Sequence, residues 1–310
     1  MAKIGTTSLD VFPLCLGGNV FGWTADEKQS FAVLDAYAAA GGNFVDTADV
    51  YSAWVPGHQG GESETILGRW MAARGNRDRI VVATKVGMLS SLRGLAAKTI
   101  GAAAEGSLRR LRTDRIDLYY AHVDDAATPL EETLGAFDAL VREGKVRHIA
   151  ASNYTAPRLA EALAVSKRLG LARYVALQPH YNLVHRADYE GGLAELCAHE
   201  GLACFPYYAL ASGFLAGKYR PGTAVESARA ASAGKYLDEK GLRILAALDA
   251  VAAERRTTAA AVALAWLRTR RAVVAPIASA RTPEQLAELL PVVPLHLTDG
   301  EATKLIDASA

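Results

Sequence analysis

The chain has 310 residues, 51% of them hydrophobic and 22% charged, with a formal net charge of +1. That length can bury a large core, and the balanced charge argues against a nucleic-acid or membrane-surface partner. Three cysteines, Cys15, Cys197 and Cys204, with no CxxC pairing, argue against a disulfide frame or zinc site and point to a reducing, cytoplasmic compartment. The opening MAKIGTTSLDVFPL has no basic segment leading into an apolar one, so no secretory signal is expected, and the apolar stretch 259–267 is far short of a membrane span.

In chain order, residues 3–12 read as a short hairpin capping one end of the core. Strand-like runs follow at 12–17, 43–46, 80–85, 116–122, 145–153, 174–178, 203–207 and 272–277. Near-continuous apolar runs of this length suit strands buried on both faces of a parallel sheet. Between them, stripes such as Ile100, Ala104, Leu108, Leu111 and Leu130, Leu134, Phe137, Val141 predict amphipathic helices. Helix starts are predicted from Thr24 with Glu27, from Thr128, Pro129 and Glu131, and from Thr282, Pro283 and Gln285. Residues 208–240 read as a long Gly/Ala-rich loop, with two additional helices near 240–254 and 298–308. Eight strand–helix units with right-handed crossovers predict an α/β fold, a (β/α)8 TIM barrel with an N-terminal hairpin and two extra helices, occupying residues 1–310 as one domain.

Barrel enzymes place their chemistry at the C-terminal ends of the strands. Here those ends carry Asp46, Lys85, His122, Ser152 with Asn153, Gln178 and Tyr207. Six consecutive strands ending in polar side chains predict one pocket. Lysine is seldom buried unpaired, so Lys85 and Asp46 are expected to pair. Tyr51, just past the second strand, would then lie near the ammonium, which should lower its pKa below about 10 and suit it to proton transfer. A neutral His122 could orient a carbonyl oxygen. His180 and His185 lack supporting carboxylates at ligand spacing, so no metal is expected. Phe21, Trp23 and Trp54 fall in loops after the first two strands and are candidates for an apolar substrate wall.

With those residues in view, the segment Asp46-Thr47-Ala48-Asp49-Val50-Tyr51 resembles the DTAxxY motif of aldo-keto reductases. The resemblance continues through Gly61-Glu62-Ser63-Glu64, Leu67-Gly68, Lys85, Asp117-Leu118 with His122, Ser152-Asn153, Gln178-Pro179 with Tyr181-Asn182, Leu210 to Tyr219 and 277–289. It implies a catalytic tetrad of Asp46, Tyr51, Lys85 and His122, with Tyr51 as general acid, Lys85 tuning it, Asp46 holding Lys85 and His122 orienting a carbonyl. It also implies NADP(H) across the barrel mouth: the nicotinamide carboxamide on Ser152, Asn153 and Gln178, its ring stacked on Tyr207, and Gly18, Asn19 and Leu210 nearby. Ser279 and Arg281, before the last barrel helix, suit a 2′-phosphate, with Gln285 and Glu288 nearer the adenosine.

Departures from the pattern fall at Tyr208-Ala209, where many relatives have Ser-Pro, at Leu289 in place of an adenine-binding Asn, and at Gln285 in place of an Arg. The expected partner is a small carbonyl compound, with the protein a monomer or weak homo-oligomer. Two other readings are a Schiff-base aldolase acting through Lys85 and a nicotinamide-binding regulatory subunit with little turnover.

Overall fold

The structure, a computed structural model, describes every residue except Ala224, which lies within the predicted 208–240 loop. An antiparallel hairpin, β1 (Ala2–Lys3) with β2 (Asp10–Val11), precedes eight parallel strands. These are β3 (Cys15–Gly17), β4 (Phe44–Asp46), β5 (Val81–Val86), β6 (Ile116–Ala121), β7 (Val146–Ser152), β8 (Tyr174–Gln178), β9 (Ala203–Cys204) and β10 (Ile277–Ala278), in spatial order β10-β3-β4-β5-β6-β7-β8-β9. The two ends of that sheet meet: Cys204 N–H donates to Ala272 O at 2.8 Å, and Ile277 N–H donates to Pro206 O at 2.9 Å. The result is the (β/α)8 barrel expected from the alternation, with α1 (Glu27–Ala39) to α5 (Ala156–Leu169), α7 (Leu193–His199), α10 (Ala259–Arg268) and α11 (Pro283–Leu289) around it. The two extra helices are α9 (Glu239–Arg255) and α12 (Asp299–Ala308). The remaining helices are short: α6 (Ala187–Glu190), and α8 (Ala230–Gly234), which with a 3-10 segment at Ala211–Ala216 gives the 208–240 region more helix than its composition suggests. No helix among the described residues is long and apolar enough to cross a membrane.

Two cores hold this together. Outward-facing strand residues such as Val45, Val82, Val86 and Tyr119 pack under the helices. Inward-facing ones, including Phe44, Ala83, Tyr120, Ala150, Ala176 and Phe205, fill the barrel and are closed off by Ile4, Leu9 and Val11 of the hairpin. Because strand side chains alternate, each interior residue predicts the direction of the residue two further on. Those residues are Asp46, Lys85, His122, Ser152, Gln178 and Tyr207. The period of two that builds the barrel core therefore points all six polar side chains into one end of it.

Two of the three predicted helix starts are different in the structure. α1 is capped by Asp26, whose side chain accepts from Gln29 N–H while the Gln29 side chain accepts in return, so Thr24 and Glu27 do not form the box. Ahead of α4 (Leu130–Arg142), Thr128 donates its hydroxyl to Asp125 at 2.7 Å and Pro129 takes the cap position without a side-chain bond. At α1 an aspartate takes the cap in place of the threonine, and ahead of α4 the Thr128 hydroxyl is spent on Asp125 and caps nothing. Thr282 does cap α11, accepting from Gln285 N–H at 3.3 Å.

Gly68 explains one motif by packing. A Cβ there would stand 2.2 Å from Arg110 O and 2.8 Å from Leu111 Cα, so the glycine is what lets α2 (Glu62–Arg74) lie directly on the end of α3 (Ala97–Leu111). Gly68→Ala forces those backbones apart, and a loss of about 1–3 kcal/mol is expected in denaturant unfolding.

Candidate active site

Lys85 is fully buried, and its ammonium donates to three oxygens: Asp46 Oδ2 at 2.7 Å, Thr47 O at 2.8 Å and the Tyr51 hydroxyl at 3.0 Å. Asp46 accepts a second bond on Oδ1 from Gln178 Nε2 at 2.9 Å. Burial opposes the charge on Lys85, but the Asp46 carboxylate and Tyr51 outweigh it and lift the lysine above its ordinary value. The His122 ring lies edge-on to Tyr51, with centroids 6.1 Å apart. Burial first, and the Lys85 charge second, push His122 well below its ordinary value, so the imidazole is neutral at pH 7.

The sequence leads one to expect an acidified Tyr51. The structure reverses this: burial raises it, Lys85 only partly offsets that, and the phenol is pushed up to about 12. At neutral pH Tyr51 is a protonated donor.

The loop that carries Tyr51 is fastened by the start of α2. The Glu62 carboxylate accepts from Ser52 N–H at 3.2 Å, Gln59 N–H at 2.9 Å and Gly60 N–H at 3.3 Å. Thr47 donates to Ser63 Oγ, which donates to Gly18 O, both at 2.8 Å. These bonds account for Glu62 and Ser63 of the Gly-Glu-Ser-Glu segment, which tie the tyrosine's loop to the turn after the first barrel strand.

Above Asp46, Tyr51 and His122 lies a cavity of about 560 Å³. It is lined by Asp46, Tyr51 and His122, by Asn19, Ser152, Asn153, Gln178, Tyr207, Leu210 and Ser279, and by Trp23 and Trp54. Asn153 donates to His122 O at 2.8 Å and to Ser152 Oγ at 3.2 Å, and accepts from the Tyr207 hydroxyl at 2.7 Å. Arg281, Gln285 and Glu288 line a second cavity of about 510 Å³, which shares Leu210, Ser212, Gly213, Arg229 and Ser279 with the first. The two form one groove running from Tyr51 and His122 to α11.

Two predicted residues are placed elsewhere. Phe21 is fully buried in the outer core, so it backs the wall and does not form it. Gly18 is buried beneath the cavity, with its carbonyl taken by Ser63.

The structure adds Met88 and Arg229, which no sequence signal had marked, and Tyr208, which the sequence marked only as a departure from the family pattern. Met88 and Tyr208 join Trp54 at the mouth, and these three are 48%, 51% and 48% exposed. Arg229, from the 208–240 region, lines both cavities with its guanidinium 5.6 Å from the Trp23 ring centroid. Its Nη2 is buried without a hydrogen-bond partner among the described residues, and burial depresses its pKa. An arginine in an alanine-rich loop carries no periodicity, so only the folded chain shows where it points.

Against that geometry, the pattern that defines the aldo/keto reductase family matches residues 13–309. The chain belongs to the aldo/keto reductase family. It is 35% identical to norsolorinic acid reductase stcV of Emericella nidulans, over 96% of this chain and 78% of that protein. It is 34% identical to a probable voltage-gated potassium channel subunit beta of Oryza sativa subsp. japonica (94% and 92%), and 32% identical to an aryl-alcohol dehydrogenase of Phanerodontia chrysosporium named for NADP(+) (96% and 83%). The family and its reductase and dehydrogenase members make this aldo/keto reductase an oxidoreductase of carbonyl compounds.

Proposed function

We propose that this aldo/keto reductase uses NADPH to reduce an aromatic or other bulky apolar aldehyde or ketone to the alcohol, with Tyr51 as the general acid. The observation that carries this reading is the buried Lys85 ammonium held between the Asp46 carboxylate and the Tyr51 hydroxyl, two residues that line an open groove. When bound, the reduced nicotinamide supplies the hydride that reaches the carbonyl carbon. The carbonyl oxygen then gains negative charge and needs a proton. Tyr51, protonated at neutral pH, donates it, and the adjacent ammonium stabilises the phenolate left behind. Neutral His122 gives the oxygen a second polar contact without a competing charge.

The groove suits a long anionic dinucleotide. Arg229 lines both parts of it, Lys218 and Arg281 line the distal part, and Ser279 and Arg281 there would meet a 2′-phosphate and select NADPH over NADH. Trp23, Trp54, Met88 and Tyr208 form a broad apolar mouth, and the names of two relatives speak of an aryl alcohol and of norsolorinic acid. Three buried cysteines fit a reducing cytoplasm as its place of work.

A Schiff-base role for Lys85 has the opposite requirement, a neutral amine, whereas Asp46 and Tyr51 hold Lys85 charged. The channel-subunit relative keeps a regulatory reading open to test. Initial rates with a panel of aryl, alkyl and sugar carbonyls decide among these readings. Carbonyl-dependent NADPH oxidation, faster than with NADH, is expected, and Arg281→Ala should narrow that preference by roughly tenfold through the lost charge-assisted contact. Tight NADPH binding with no turnover on any member would favour the regulatory role.

A further inference from the structure

We propose that His185, His180 and Tyr207 form a three-ring column whose inner ring is the platform for the nicotinamide, and that His180 is a positioning residue setting the relative affinity for the two redox forms. This rests on the nicotinamide reading above. The rings of His185 and His180 are stacked 3.9 Å apart at 11°, and those of His180 and Tyr207 lie 5.3 Å apart at 20°. Tyr207 lines the groove, so a planar ring entering there would continue the column.

The backbone builds this arrangement. Asn182 and His185 exchange two backbone hydrogen bonds, at 3.2 and 3.1 Å, which fold the chain so that His185 lies over His180. The strand ladder then places Tyr207 beside His180, with Tyr207 N–H donating to Pro179 O at 3.0 Å. Asn182 also donates to Tyr208 O at 2.9 Å, fastening the turn to the platform segment. The Tyr207 hydroxyl is held by Asn153, but the ring would be free to swing about that anchor if His180 did not fill the space behind it.

His180 itself is placed for its faces and not its polar atoms: its Nε2 is buried with no partner among the described residues. The titratable groups around it are His185, which Asp188 meets at 2.8 Å, Asp188 itself and Lys235. Burial, and then His185, push His180 down to about 4, so it stacks as a neutral ring at pH 7.

The two forms of the cofactor differ in charge at this ring. The oxidised nicotinamide is a cation and gains from the electron-rich face of a phenol, while the reduced ring is neutral and gains only from stacking. A platform displaced by loss of His180 therefore weakens both forms, the oxidised one more.

Tryptophan-fluorescence titrations of the full chain with NADP+ and NADPH test this in wild type, His180→Leu, His180→Gln and His180→Phe. The ring-free variants should raise the Kd for NADP+ about tenfold and for NADPH about threefold, and Phe should restore both to within about twofold. Gln keeps a polar group at this half-buried position and serves if Leu does not fold. Unchanged Kd values in the ring-free variants, equal weakening of both forms, or a Phe variant as weak as Leu each overturn the proposal. If wild type bound neither nucleotide, the nicotinamide reading itself would fall and this inference with it.

Discussion

Tyr51→Phe should lower kcat/KM for carbonyl reduction by about 10³-fold, within the range that a positioned general acid supplies. The argument is atomic. The hydroxyl is a proton donor lining the groove, 3.0 Å from the Lys85 ammonium, while His122 is held neutral beside it. Removing one oxygen leaves the Tyr51 ring, its packing against Trp54 at 5.9 Å and the loop fastened by Glu62 unchanged. The Kd for NADPH should accordingly stay within about twofold of wild type, because the substitution removes a contact used in the chemical step and not in cofactor binding. The pH profile gives a second reading. With Tyr51 pushed up to about 12, the phenol keeps its proton throughout the neutral and mildly alkaline range, so the reduction rate should show no decline there from loss of the acid. Steady-state rates from pH 6 to 10 check this. A variant retaining full reductase activity, or a wild type whose reduction is lost with an ionisation near neutrality, removes Tyr51 from the role.

Much of the site was legible because a strand has a period of two. Ala83 and Lys85, or Ala176 and Gln178, fall on the same face whatever the barrel's exact curvature, so polar strand ends after apolar interior residues had to converge. The order of motifs through residues 46 to 68 likewise turned out to be one connected hydrogen-bonded unit, with Thr47, Ser63 and Glu62 fixing the loop on which Tyr51 rides. What could not be read depends on distances between segments far apart in the chain. The direction of the Tyr51 shift is a contest between a nearby cation and burial, and residue types alone say only that both act. Gln178 offered an amide to the expected cofactor, but its Nε2 is already committed to Asp46, which leaves its oxygen side for a ligand. Thr24 and Thr128 matched a capping pattern, but Asp26 takes the cap of α1 and the Thr128 hydroxyl is spent on Asp125, leaving α4 without a side-chain cap. Arg229 sits in a loop without periodicity, where position in sequence carries no information about position in space.

Lys85→Met should be the most damaging single substitution in the site, for two separable reasons. Chemically, the phenolate formed at Tyr51 loses its neighbouring cation, and reductase activity should fall by at least the factor expected for Tyr51→Phe. Structurally, Asp46 is 2% exposed and would keep only the Gln178 bond, so a buried carboxylate would be left without its counter-charge. Breaking one side of such a pair costs about 3–5 kcal/mol, whereas replacing both sides by uncharged groups of similar shape is close to neutral. The double variant Asp46→Asn with Lys85→Met keeps an acceptor for Gln178 and removes both charges. Denaturant unfolding should therefore show a large loss for Lys85→Met that is mostly recovered in the double variant, while both remain inactive. Stability and catalysis would then have been separated at one ion pair. An active Lys85→Met enzyme, or a double variant whose activity returns along with its stability, would mean that the buried charge serves the fold alone.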